Sequence, residues 1–147
     1  KKIDEEELLV YNYEAISNFI NTGSATKVFI EGLSFNSASL TKDIIAGNFW
    51  YLRTRLKEEL ALSSTIISPA SWRAKVFDAE QKAELKAYRK ENKGYGNMLK
   101  EMALRNVPEE VRGQFIKYLT DNKFAGKFIY DLADAYCIAK YGVLINL

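Results

Sequence analysis

Three acidic residues invite a chemical reading. Asp131 and Asp134 stand three apart in the apolar, alanine-containing stretch "KFIYDLADAYCIAKYG", residues 127–142, and Glu31 closes the run "TKVFIE". Carboxylates are hard oxygen ligands, the kind that Mg²⁺ or Mn²⁺ takes. Two such ions roughly 4 Å apart can ready a water for in-line attack on phosphorus and stabilise the leaving oxygen. The chain has no histidine, which removes His-ligated zinc and both Ser-His-Asp and Cys-His catalysis together. Chemistry, if the chain performs any, belongs to carboxylates, lysines and water. A plainer alternative stays open. Lys127, four residues before Asp131, is spaced for a surface ion pair with it, and an exposed glutamate at a strand end is common.

The elements that would position these acids can be read from periodicity. At 100° per residue Phe128, Leu132, Ala135 and Ala139 share one face of a closing helix, with Asp131 at its border and Asp134 about 60° further round. A carboxylate bordering a buried stripe needs a cation or a set of donors, because burying it alone is costly. Val28, Phe29 and Ile30 are apolar on both alternating faces, as in a strand covered on both sides, and Glu31 terminates it. Ligands of open α/β sheets gather outside the carboxyl ends of the strands, which is where this glutamate falls.

Around these lie further elements. "DEEELLVYNYEAISNFINTG" spaces Leu8, Leu9, Tyr13, Ile16, Phe19 and Ile20 as an amphipathic helix, with Asp4 as N-cap and Gly23 as stop. "SASLTKDIIAGNFWYLRTRLKEELAL" predicts a long helix whose stripe is Leu40, Ile44, Ile45, Phe49, Leu52 and Leu56. Thr65–Ile67 forms a short second strand, after which Ser68 caps a helix that has Pro69 at its first position. A charged helix (Ala79 to Lys90), the glycine-bearing "NKGYGNMLKEM", a helix near Pro108 to Leu119 and the closing helix follow. Strand, helix, strand implies a parallel α/β core, since parallel strands need a crossover.

Composition bounds the remaining possibilities. The 147 residues, 48% hydrophobic and 13% aromatic, suffice for one domain, 1–147, with a real core. The net charge of +2 is divided unevenly, for residues 1–72 hold 7 basic and 9 acidic side chains and residues 73–147 hold 14 and 10. An anion-facing surface is therefore expected in the second half. Cys137 is the only cysteine; it excludes an internal disulfide, suits a reducing cytoplasmic compartment, and reads as a core residue. No run has the length of a membrane span, and no membrane partner is expected.

Taken together, "VFIEGLSFNSASL", "ISPASWRAKVF", "KGYGNMLKEM" and "DLADAYCIAKYG" resemble, in this order, motifs of the RuvC family of Holliday-junction resolvases, in particular the shorter bacteriophage versions. The likeness runs from about Leu8 to Gly142. Asp78 to Asn92 looks like an insertion, and Arg105 to Ala125 matches only as helix. The resemblance implies an α/β, ribonuclease-H-like mixed sheet flanked by helices, helix-rich over these residues. It also implies a homodimer, and Mg²⁺-dependent cutting of four-way DNA junctions in the cytoplasm of a bacterium or phage-infected host, with two ions per site and Mn²⁺ as a substitute.

Matched position by position, the resemblance makes Glu31, Asp131 and Asp134 catalytic metal ligands. It also makes Lys100 a lysine near the scissile phosphate, although Met98 stands where the family has a small residue. Arg73 and Lys75 become phosphate contacts. Phe35 becomes an aromatic that stacks on an unpaired junction base, and Ile45 and Phe49 part of a dimer surface. The family carries a further aspartate on a strand ahead of the first helix. That residue and its strands are expected upstream of Lys1. Cutting of forks or flaps, junction binding without cutting, and a helical interaction module are the competing readings.

Overall fold

The structure, a computed structural model, describes residues 4–23, 25–32, 42–91 and 94–146. Helix takes up 78% of it, and the described strands form a two-stranded parallel sheet, a mixed α/β composition. The chain divides into two compact units, Lys1–Ile67 and Ser68–Leu147. Among the described residues no helix is long and apolar enough to cross a membrane.

In the first unit, helix α1 (Glu5–Gly23) precedes strand β1 (Val28–Glu31), helix α2 (Lys42–Leu60) and strand β2 (Ser64–Ile67). The Asp4 carbonyl accepts from the Leu8 amide at 3.0 Å, which makes Asp4 the boundary residue of α1. Tyr13 and Ile20 of α1 are buried with Leu56 of α2, and Val28, Tyr51, Leu52, Leu60 and Leu62 pack around them. Leu56 has no exposed surface; full burial of such a side chain contributes about 1.5–3 kcal/mol. Tyr13 meets the polar boundary by donating from its hydroxyl to Glu59, which also pairs with Arg55. Phe19 departs from the expected stripe and is 76% exposed.

β1 and β2 pair in parallel, Val28 opposite Ser64 and Glu31 opposite Ile67. The link between them carries α2, as parallel pairing requires. β1 is half-buried at all four positions rather than fully covered. Ile45 of α2 is 51% exposed, whereas Phe49 is buried, so the expected apolar stripe of this helix splits between surface and core. Leu40, in the same expected stripe, lies outside the described residues.

The second unit is helical. It contains α3 (Pro69–Val76), α4 (Ala79–Glu91), α5 (Tyr95–Arg105), α6 (Glu109–Asp121), a 3-10 turn at Gly126–Phe128 and α7 (Ile129–Ile145). Ser68 caps α3 as its sequence demands, its Oγ accepting from the Ser71 amide at 3.1 Å with Pro69 in the first turn. α7 is the central helix, packed by α3, α5 and α6. Trp72, Met102, Ala103, Val107, Ala133 and Cys137 form the most deeply buried part of the core. α4 is fastened to α5 by Arg105, whose Nη1 donates to both Glu84 oxygens at 3.0 and 2.9 Å.

Candidate functional site

Glu31 lies in the first unit, at the carboxyl end of β1, and its residue is half-buried. The ladder continues one step past it, because the Gly32 amide donates to the Ile67 carbonyl at 2.8 Å. A Cβ at position 32 would come within 3.3 Å of Ile66 Cγ2, so glycine there lets the chain leave the strand close against its neighbour. Glu31 lines a cleft of about 420 Å³ formed with side chains of α1 and α2. Most of that lining is apolar, including Ile16, Ile45 and Phe49, but Asn12 and Asn48 also face it. Asn12 Nδ2 donates to Asn48 Oδ1 at 3.0 Å, and Asn48 Nδ2 to the Ile44 carbonyl at 3.1 Å. An amide pair and a carboxylate in an apolar cleft form a polar set able to orient a ligand.

Asp131 and Asp134 lie in the second unit, both on α7. Their burial reverses the sequence expectation. The buried face of α7 is Ala133, Cys137, Ile138 and Gly142, while Ala135 and Ala139 are exposed and Phe128 belongs to the preceding turn. Asp131 is therefore exposed and Asp134 half-buried. The physical reason is that α7 is apolar around much of its circumference, so periodicity does not single out one face. Small residues occur on both sides, Ala133 and Gly142 buried and Ala135 and Ala139 exposed, so the packing of α3 and α5 decides which side is covered. Asp134 is near enough to Cys137 for its charge to act on the thiol, which is pushed up to about 11, first by burial and then by this carboxylate, with Lys140 opposing.

The ion pair between Lys127 and Asp131 does not form among the described residues. Lys127 Nζ instead stands 5.8 Å from the Phe128 ring centroid. Asp131 borders a small apolar cleft with Tyr118, Leu119, Phe124, Phe128 and Leu132. Tyr130, the residue before it, donates from its hydroxyl to Glu101 on α5. Glu101 as acceptor raises the Tyr130 phenol, with desolvation second. This bond ties the stretch holding Asp131 to the stretch holding Lys100, and the Lys100 side chain is exposed. Two site residues far apart in sequence are thus brought onto adjoining segments of α5 and α7.

Arg73 and Lys75 both lie on α3. Lys75 is exposed. Arg73 is half-buried, its guanidinium 4.9 Å from the Trp72 ring centroid and its Nε buried without a hydrogen-bond partner. It lines a cleft of about 680 Å³ together with Lys82, Lys86 and Arg89 of α4 and Tyr95 of α5. Sequence reasoning missed these last four residues. Their signal is the spacing 82, 86, 89, three cations on one face of a helix. Phe35 lies outside the described residues.

Among the described residues no group of three or more Asp, Glu, Cys or His side chains is placed to hold a metal ion. Mg²⁺ seldom uses an all-protein cage, and one or two carboxylates plus substrate phosphates commonly suffice. Asp131 and Asp134 fit that donor chemistry, being hard oxygens three apart on one helix, the first of them exposed and outside the ion pairs found among the described residues. The chain matches no protein-family model, no curated protein and no solved structure.

Proposed function

We propose that this chain is a structure-specific DNA endonuclease of ribonuclease-H-like fold that resolves four-way junctions as a homodimer, with Mg²⁺ as cofactor. The observation that carries the reading is the Tyr130–Glu101 hydrogen bond, which sets Asp131 and Lys100 on adjoining segments of α7 and α5. The order of the four sequence motifs supports it, as does Glu31 at the carboxyl end of a parallel strand.

In this reading Asp131 and Asp134 would hold the cation together with substrate phosphate, and the ion would supply Lewis-acid polarisation of a phosphoryl oxygen and a water of lowered pKa. Lys100 extends an exposed ammonium toward the scissile phosphate and offsets charge that develops there. Arg73 and Lys75 contact phosphates, which positions DNA without reading its sequence. Two protomers related by a twofold axis would pair their cuts across the junction.

The variants Asp131→Asn and Asp134→Asn test the assignment, since each removes a charge with little change of shape. Each is expected to lower Mg²⁺-dependent junction cleavage by on the order of a hundredfold or more while gel-shift binding of the junction survives. Undiminished cutting by both refutes the site.

A further inference from the structure

We propose that the cleft between α3, α4 and α5 binds an unpaired nucleotide strand, one base lying against Tyr95 with its flanking phosphates on Lys82, Lys86 and Arg89. This goes beyond the carboxylate reading and does not depend on it, for none of these four residues belongs to the cutting site.

Size is the first argument. A volume of about 680 Å³ falls within the range of pockets that enclose one small organic group. It admits a base and its sugar. Charge is the second. Arg73, Lys82, Lys86 and Arg89 all line the cleft, and among the described residues no carboxylate does. Two nearby acids are turned to other tasks, Glu84 of α4 holding Arg105 and Asp78, just ahead of α4, accepting through Oδ1 from the Gln81 amide at 2.8 Å. The cleft therefore presents an uncompensated cationic wall, and an anion is its complement.

The floor decides which anion. Phe77 and Leu85 are buried beneath the cleft and Leu99 is half-buried, so a small inorganic ion would meet apolar carbon where it needs donors. A nucleotide supplies both surfaces, an apolar face for the floor and a phosphate for the wall. Tyr95 is half-buried, with the Arg89 guanidinium 5.6 Å from its ring centroid. Stacked aromatic and guanidinium groups are the platform on which proteins hold single-stranded bases. Lys82 and Arg89 are about 10 Å apart along the axis of α4 at the usual helical rise, so the cations form a ladder beside which successive phosphates of an extended strand can run.

The test is fluorescence anisotropy in EDTA with labelled oligo(dT), oligo(U) and a duplex of equal length. Wild-type protein should bind a single strand more tightly than the duplex; the tighter of the two single-strand arms tells DNA from RNA. The triple variant Lys82→Ala, Lys86→Ala, Arg89→Ala should weaken binding by at least about tenfold. It should also flatten the log–log salt slope by about 2, since each phosphate contact on a single strand contributes about 0.7. A second triple variant, Lys117→Ala, Lys123→Ala, Lys127→Ala, removes the same charge elsewhere and should lose far less. Tyr95→Ala should cost about fivefold or more, while Tyr95→Phe, which keeps the ring, should stay close to wild type.

The proposal is overturned if the cleft triple binds no worse than the control triple, if its slope is unchanged, or if the duplex binds as well as the single strand. Absence of single-strand binding by the wild type overturns it equally. The three substituted cations are exposed, so the result stands even if Tyr95→Ala lowers the melting temperature. Loss of cutting in Asp131→Asn with strand binding intact sinks the nuclease reading alone, and failure of the cleft variants with cutting intact sinks this one alone.

Discussion

Cys137 has no exposed surface, and its thiol points to the Ala103 carbonyl with Sγ 3.5 Å from the oxygen. Burial and the Asp134 carboxylate push its pKa up to about 11, against about 8.5 for a free thiol. The folded protein therefore keeps the proton to higher pH than the unfolded chain does. The resulting stabilisation is complete below the unfolded pKa and is lost as pH rises from about 8.5 through about 11. Cys137→Ala should show a shallower alkaline decline in urea midpoint than wild type, and native Cys137 should resist iodoacetamide at neutral pH until urea exposes it. Identical alkaline profiles, or rapid labelling of the folded protein, contradict this. That Cys137 is a core residue was readable from its apolar setting. Which of the two aspartates lies nearer the core was not, because α7 carries apolar and small residues on more than one side and the packing of α3 and α5 decides which side is buried.

The ends of helices show what composition can and cannot convey. Ser68 and Pro69 announce the start of α3, and the same chemistry appears in the structure. The stop of α2 carries no such signal. Ala61 adopts φ 54°, and the Leu62 amide returns to the Leu56 carbonyl at 3.0 Å, the reach of a left-handed helix cap that usually employs glycine. Ala61→Gly should raise stability by about 1 kcal/mol by relieving the left-handed backbone of a residue with a Cβ. A melting temperature unchanged or lowered argues against that geometry. α4 teaches the opposite lesson. Its boundaries were plain from its charged sequence, but its part in a cleft was hidden, since Lys82, Lys86 and Arg89 are indistinguishable from a solvated face until Phe77, Leu85 and Tyr95 are seen beside them. Strand β2 begins at Ser64, one residue before Thr65, where the β-branched run starts, because pairing with Val28 recruits the serine backbone whatever its side chain prefers.

At the scale of the whole chain, charge follows the division into units. Residues 68–72 carry no charged side chain, so the helical unit Ser68–Leu147 holds the entire 14-to-10 basic excess, and Lys1–Ile67 is net acidic. Proposed phosphate contacts and the proposed strand cleft both belong to the basic unit, while Glu31 belongs to the other. The parallel strand pair and its α2 crossover were legible from two short apolar runs separated by a long helical pattern. The central claim, that the chain cuts branched DNA with Mg²⁺, is tested most directly by incubating the protein with a labelled four-way junction and with linear duplex of the same sequence, in Mg²⁺, in Mn²⁺ and in EDTA. The account predicts strand cuts in the junction alone and in Mg²⁺ alone. An intact junction in Mg²⁺ and Mn²⁺, or cutting that persists in EDTA, contradicts it.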